Sequence, residues 1–544
     1  MTPISLCRMQ RLPVRPSMAL LAAALGAALA CCSTGTMAAE PARGGTLNMA
    51  IHVGEPATYD CHATNSPAVM WRVAPHYSTL LRVSGERYPE VVGDLAKSWT
   101  ISPDNLSYRF TLQPNIKFHD GSALTSADVK ASFDRMRNPP QGVVSLRQGM
   151  LADVAAIDTP DPQTVVFKFS RPNAAALQLL AMPFACVYSA RLLVADPSYP
   201  GKRVMGSGPF KFVRHMPGAD WVGERFADYF QPGKPYLDGF RMLGVAPPAA
   251  TNALLSGQVH FTMQGMTGPE LARITAARGD KVTVLGGKSA TAFLPWFAIN
   301  TQRDGVKDER VRRALNLAVD RRGSAKAMEQ ITPMHQVGGL VRPGSTFARS
   351  DDELSKLPGF GTDIEAARKE ARRLLAAAGQ ANLKLVLVNN RAFSHFGVLV
   401  ADQLRQVGVT VDHQALDTPQ VAARRVSGDY DLIFDSPAEY VDDPSVQLAY
   451  FEPFSTNRGN LARVGDPGFV DKYQAQLREL DPKKRLQKVR DMEAYLLEKS
   501  YVVPLYWQVR KRAIDSQLHG LEHDAPSNYV NLDLAGLWLD AARK

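Results

Sequence analysis

The chain has 544 residues, 45% hydrophobic and 21% charged, which is a globular composition in a chain too long for one ordinary core. With 40 Gly and 37 Pro it is neither fibrous nor disordered, and it is too polar for a polytopic membrane protein. The formal charge of +10 leaves a nucleic-acid binder, a secreted enzyme and a binding protein open.

The N-terminus narrows that choice. Arg8, Arg11 and Arg15 are the charges before Glu40, and they precede an apolar run, Met18–Ala30. That run reaches about 20 Å as a helix, short of a ~30 Å hydrocarbon core. With small residues at Thr36, Ala38 and Ala39 it reads as a secretory signal peptide, cleaved after Ala38 or Ala39. Cys31 and Cys32 raise a lipid-anchored alternative, which Ala28 and Cys31 in the positions ahead of them disfavour. No second apolar run long enough to span a bilayer follows, so a soluble exported chain is expected. Loss of the three arginines lowers the net charge to about +7, which weakens the case for nucleic acid. Cys61 and Cys186 are then the remaining cysteines; two separate buried thiols are favoured over a disulfide.

Along the chain, Thr111–Gln113 and Ile116–Phe118 read as strands around a Pro-Asn turn. Thr125 with Asp128 three residues on forms a capping box, and the helix it starts buries Val129 and Phe133. Val165–Phe169 and Pro209–Val213 read as short strands. Val311, Ala314, Leu315, Ala318 and Val319 make one helical stripe. Asp363 caps a helix that Gly379 stops, and the strand Leu383–Val388 follows. A helix with the stripe Phe396, Leu399, Val400 and Leu404 leads to a strand at Val409–Val411. Another helix ends near Gly428 before the strand Asp431–Asp435. This strand–helix alternation predicts a parallel α/β sheet. Asp481-Pro482 starts one more helix. Ligands of open parallel sheets sit beyond the carboxyl ends of the strands. The loops there carry Arg391, suited to a carboxylate, and Asp435, Glu439 and Tyr440, of which the acids suit an amine. The alternative is that Arg391 pairs with one of these acids or is a solvated loop residue.

Motifs in order now resemble a known family. Gly45-Thr46-Leu47, Leu95-Ala96-Lys97-Ser98-Trp99 and Ser102-Pro103-Asp104 open the series. Lys117 to Val129 resembles the signature KFHDGxxLTAxDV; Gly206-Ser207-Gly208-Pro209-Phe210 and Lys234-Pro235-Tyr236-Leu237-Asp238 follow. Val311-Arg312-Arg313-Ala314-Leu315, Ala318-Val319-Asp320-Arg321, Gly428-Asp429-Tyr430-Asp431, Asp443-Pro444 and Pro504-Leu505-Tyr506 complete it. Over essentially the whole exported chain these resemble the bacterial extracellular solute-binding proteins, family 5, the peptide, nickel and opine-type receptors of ABC importers.

That resemblance implies a two-lobed α/β periplasmic-binding-protein fold, class II-like and of cluster C, with an extra small domain inserted in the N-terminal lobe. It divides the chain into a signal peptide (1–39), lobe I (40–83, 201–290 and 504–544), the inserted domain (84–200) and lobe II (291–503). Hinge crossings are expected near Gly286–Phe293 and Val503–Gln508, with a small solute enclosed on closure. It further implies a periplasmic, monomeric receptor without cofactor or metal, which delivers its solute to an inner-membrane permease and ATPase. In peptide-binding members an Asp holds the ligand's amino group where Tyr440 stands here beside Glu439, whereas Arg391 falls where dipeptide receptors carry a carboxylate-binding Arg. A peptide-like or other carboxylate-bearing solute is therefore expected. Trp296 on the inter-lobe strand, Asn65, Ser66 and Trp71 after the first strand, and Ser207 in its glycine-rich turn complete the candidate site.

The rivals are weaker. A secreted hydrolase lacks a Gly-x-Ser-x-Gly elbow and a His-Glu-x-x-His pair. A nickel- or haem-type receptor of the same fold would rest on His519 and His523, which Gly520 and Pro526 place in a loop. Basic pairs such as Arg312-Arg313 and Arg372-Arg373 lie among acids on separate helices, so no nucleic-acid partner is expected.

Overall fold

Three sheets organise the chain. The first has seven strands, in the order Val282–Leu285, Arg512–Asp515, Phe261–Thr262, Thr46–Ile51, Gly239–Gly244, Asp220–Arg225 and Phe210–Met216. Thr46–Ile51 sits at its centre, parallel to both neighbours, and its residues Leu47, Met49 and Ala50 are fully buried. Its strands come from both ends of the chain, so this lobe closes only once the C-terminus has returned.

The second sheet, of five strands, runs Thr410–Leu416, Lys384–Asn390, Leu432–Asp435, Trp296–Ile299 and Val502–Pro504. The first three are parallel, as the alternation predicts, and the last two are antiparallel additions. Asp363 accepts a hydrogen bond from the Ala366 N–H at 2.9 Å and starts the helix Ile364–Ala377. Gly428, at φ 80°, ends the helix Thr418–Ser427 in the left-handed conformation that a side chain disfavours. Asp481 accepts from both Lys483 and Lys484 N–H at the head of Pro482–Lys499.

The third sheet is an antiparallel set of four strands, Ala96–Ile101, Ser107–Leu112, Thr164–Phe169 and Val154–Asp161. Against it packs the helix Ser126–Arg137, opened by the predicted Thr125–Asp128 capping box. Phe133 and Phe110 meet Phe167 edge-on at 5.0 and 5.7 Å. Ile116–Phe118, expected as a strand, forms only a single bridge from Lys117 to Ala123, because the turns on either side leave it no longer partner.

The computed structural model describes residues 40–51, 54–55, 58–286, 293–333, 335–437, 440–521 and 533–540. The signal peptide with Cys31 and Cys32, Glu439, His523 and most of the first expected crossing lie outside these residues. The second crossing falls later than expected. Val503 and Pro504 still belong to the second sheet, and Trp507–Gln508 pairs with His335–Gln336 of the same lobe, so the chain passes over at 509–511. Among the described residues no helix is long and apolar enough to cross a membrane.

Cys61 and Cys186 are joined, S–S 2.00 Å, which corrects the expectation of separate thiols. Sequence spacing carries no distance information; the fold brings the two α-carbons to 6.1 Å, within the range a disulfide needs.

Candidate functional site

The second crossing carries two buried cations. Arg510 and Arg512 are both buried there, on alternate positions of one extended run, with half-buried Lys511 between them. The Arg510 guanidinium lies 5.0 Å from the Trp71 ring centre and 5.7 Å from that of Phe293. A position over aromatic faces suits a weakly hydrated cation. Burial, and then the neighbouring charge of Arg512, lower the Arg510 pKa to about 9. Burial alone brings Arg512 to about 10.

Two further groups converge on this position. Tyr440, from the loop after the strand Leu432–Asp435, is 4% exposed, and among the described residues its hydroxyl has no hydrogen-bond partner. Burial pushes its phenol pKa up, against the pull of Arg510 and Arg147. Arg147, from the segment between the helix Ser126–Arg137 and the third sheet, is 2% exposed. Its Nη2 donates to the Thr64 carbonyl at 2.7 Å, and its guanidinium stacks 4.1 Å from the Phe184 ring centre. The Phe184 ring in turn meets Tyr440 edge-on at 4.7 Å. Burial lowers the Arg147 pKa to about 10, so it is a cation at any physiological pH. The disulfide frames this group: Cys61 lies three residues before Thr64, and Cys186 two after Phe184.

The sequence candidates distribute unevenly around this centre. Trp71 and Tyr440 are in it. Trp71 is fully buried with an unpartnered indole N–H, carried on the helix Pro67–Val73. Ser66 caps that helix through its backbone and is half-buried, while Asn65 is exposed. Ser207 is fully buried with its hydroxyl unpartnered. Its flanking glycines answer to packing, since a Cβ on Gly206 would fall 2.2 Å from the His76 carbonyl oxygen, and one on Gly208 2.5 Å from the His76 carbonyl carbon. Trp296 is a fully buried aromatic of the second sheet, against Tyr450 at 4.8 Å and Phe451 at 5.8 Å, with its indole N–H unpartnered.

Asp435 is paired with Arg425 at 2.9 Å. Arg391 is two-thirds exposed and bonds Asp417 at 3.1 Å, so the ion pair it makes is with neither Asp435 nor Tyr440's loop. Asp443 of the Asp-Pro motif caps the short helix Pro444–Leu448 and binds Arg485 at 2.8 Å. A cavity of about 300 Å³ opens elsewhere, beside Asp320, Arg321 and Phe360, and no sequence candidate lines it. Among the described residues no cluster of His, Cys, Asp or Glu suits a metal; His519 bonds Asp540 at 2.9 Å and stacks on Trp538.

Sequence reasoning missed Arg147, Phe184, Arg510 and Arg512. The last two carried a signal, the period-two spacing of a strand that buries one face. Arg147 carried none, since it lies in an irregular loop.

Comparison with known proteins gives a consistent result. Residues 90–460 match the model of the bacterial extracellular solute-binding proteins, family 5 Middle. A Brucella ovis protein provisionally named an ABC transporter peptide-binding protein is 27% identical over 437 residues, 76% of this chain and 79% of its own length. The ABC transporter-associated periplasmic binding protein DppA of Helicobacter pylori, solved with the peptide STSA, matches with a TM-score of 0.81 at 21% identity. It covers 92% of this chain and 99% of its own. AgaA of A. tumefaciens R10, solved with agropinic acid, matches with a TM-score of 0.80 at 24% identity, over 92% and 99%. The fold is thus two-lobed and α/β, as the order of motifs implies.

Proposed function

The chain belongs to the bacterial extracellular solute-binding proteins, family 5, and from that membership we propose that it captures a peptide-like or other carboxylate-bearing solute for an ABC importer. One observation carries this reading: Trp71 of the N-terminal half, Tyr440 of the second lobe and Arg510 of the crossing converge in one buried cluster. A solute touching all three gains contacts with both lobes only when they are together, so it stabilises the closed arrangement by that difference. Buried arginines between aromatic faces favour an anionic group over a neutral one. The related proteins named above carry the name of a peptide receptor or were solved with a peptide or an organic acid, which supports the same ligand class.

On this reading residues 1–39 direct export and are removed, and the remainder works in the periplasm as a monomer that presents its solute to an inner-membrane permease and ATPase. Lobe I is drawn from 40–83, 201–290 and the chain after the crossing at 509–511, the inserted domain from 84–200 and lobe II from 291 up to that crossing. Trp71, Ser207, Trp296 and Tyr440 face or back the solute, with Asn65, Ser66 and Asp435 at the margins. The protein binds without turnover and needs no metal or cofactor.

The test is mass spectrometry of solute released from the purified protein, with thermal-shift measurements on peptides, opines and sugar acids. A stoichiometric carboxylate solute and a raised melting temperature are expected. Turnover of an ester or peptide substrate, or stoichiometric metal by elemental analysis, would overturn the reading.

A further inference from the structure

We infer that Arg147 and the Tyr440 hydroxyl together form the subsite that takes the carboxylate of the bound solute, an assignment that rests on the receptor reading above. Several other buried arginines show by contrast how such a group is satisfied. Arg135 binds Asp60, Arg485 binds Asp443 and Arg342 binds Asp442. Arg321 has no carboxylate, but it is saturated by the carbonyls of Pro504, Asn316, Val319 and Gly359. Arg312 likewise spends its donors on the carbonyls of Lys307 and Lys499. Arg147 has neither: among the described residues it forms no ion pair, and its guanidinium has a single acceptor, the Thr64 carbonyl. A guanidinium carries five N–H donors, so most of its capacity is unspent in a place where an unpaired charge is costly.

The second, independent observation is Tyr440. Among the described residues its buried hydroxyl has no partner, and it lies one aromatic ring away from Arg147 across Phe184. A buried hydroxyl is ordinarily bonded, and one left open beside an undersatisfied cation marks the place of a missing acceptor. The guanidinium carbon sits over the Phe184 ring, 4.1 Å from its centre, so the ring offers it no acceptor and its unspent N–H donors are left for a planar carboxylate. Tyr440 donates to the same anion. Arg391, the anchor suggested by resemblance, is exposed and already paired with Asp417, where water and salt weaken any further ion pair. The subsite also spans the lobes, since Arg147 comes from the inserted domain and Tyr440 from the second lobe. An anion seated there bridges the parts that closure brings together.

The experiment uses protein freed of co-purified solute by unfolding and refolding with the disulfide intact. Wild type, Arg147→Gln, Arg147→Lys, Tyr440→Phe and Arg391→Gln are each dialysed against one mixture: Ala-Ala, Ala-Ala-Ala, their C-terminal amides, glucuronate and succinate. Retained molecules are quantified by mass spectrometry after denaturation. Wild type should retain an acid and none of the amides. Arg147→Gln should lose that retention by about tenfold or more and Tyr440→Phe by about three- to tenfold. Arg147→Lys should fall between, and Arg391→Gln should match wild type.

Retention of acids and amides alike, or equal retention by wild type and Arg147→Gln, overturns the subsite while leaving the receptor reading standing. If Arg147→Gln does not fold by circular dichroism, Tyr440→Phe decides, because it removes only an unpartnered hydroxyl; unchanged retention then overturns the subsite. Wild type retaining nothing overturns both. Whether the retained acid is a peptide or a sugar acid identifies which source of carboxylate the subsite serves.

Discussion

Replacing Cys61 and Cys186 together by alanine removes a covalent link that closes a 125-residue loop. In the chain-entropy account, closing a loop of that length costs the unfolded state about 5 kcal/mol at 25 °C. Spread over the unfolding entropy of a 544-residue chain, that loss lowers the melting temperature by about 4 °C if the molecule melts as one unit. It lowers it further if the N-terminal half melts separately. The consequence extends to the ligand, because Thr64, which holds Arg147, and Phe184, which stacks on it, lie next to the two cysteines. Affinity for the retained acid should therefore fall along with stability. The assay is thermal unfolding of the oxidised protein, of the double variant and of the protein kept in a phosphine reductant, with peptide mapping under non-reducing conditions. A Cys61–Cys186 linked peptide and matching destabilisation of the variant and reduced samples are expected. Identical melting temperatures in all three, or no linked peptide, would refute the reasoning.

Gly286→Ala should be costly at the hinge: at φ 117° an added Cβ would sit 2.4 Å from the Arg510 carbonyl oxygen. A loss of about 1–3 kcal/mol by thermal unfolding, together with weaker solute binding, is expected, since Arg510 is displaced. His76 sets an acid limb. Burial lowers its pKa to about 3; its Nδ1 bonds the Phe210 carbonyl, its Nε2 accepts from the Trp221 indole, and nearby His119 also disfavours its charge. The folded value lies below the unfolded 6.5, so the stability it supports is whole above pH 6.5 and lost as pH falls towards 3. Melting temperature should drop between pH 7 and pH 4.5, less steeply in His76→Gln, which keeps one donor and one acceptor; equal slopes would exclude this role.

The parallel part of the second sheet was legible because each of its elements is local: Asp363, Gly379 and Gly428 mark helix ends, and the strands lie between them. The seven-stranded sheet was not, since its members run from Thr46 to Asp515 and pair out of sequence order. Trp71 and Tyr440 could be named as candidates from their places relative to the first strand and the Asp-Pro motif. Arg147 was invisible because what distinguishes it is that, among the described residues, it lacks the carboxylate that Arg135 and Arg485 possess, and such a lack appears only after folding. Arg391 is the complementary case. A strand-end position fits a ligand contact, but Asp417 at the head of the next helix meets it first.

Capture between two lobes is tested most directly by hydrogen–deuterium exchange with and without the acid retained from the mixture. Simultaneous protection of residues 61–73, 145–150, 440–443 and 507–512 is predicted, because the solute touches both lobes and the crossing. Protection confined to one lobe, or none at the crossing, would contradict the account.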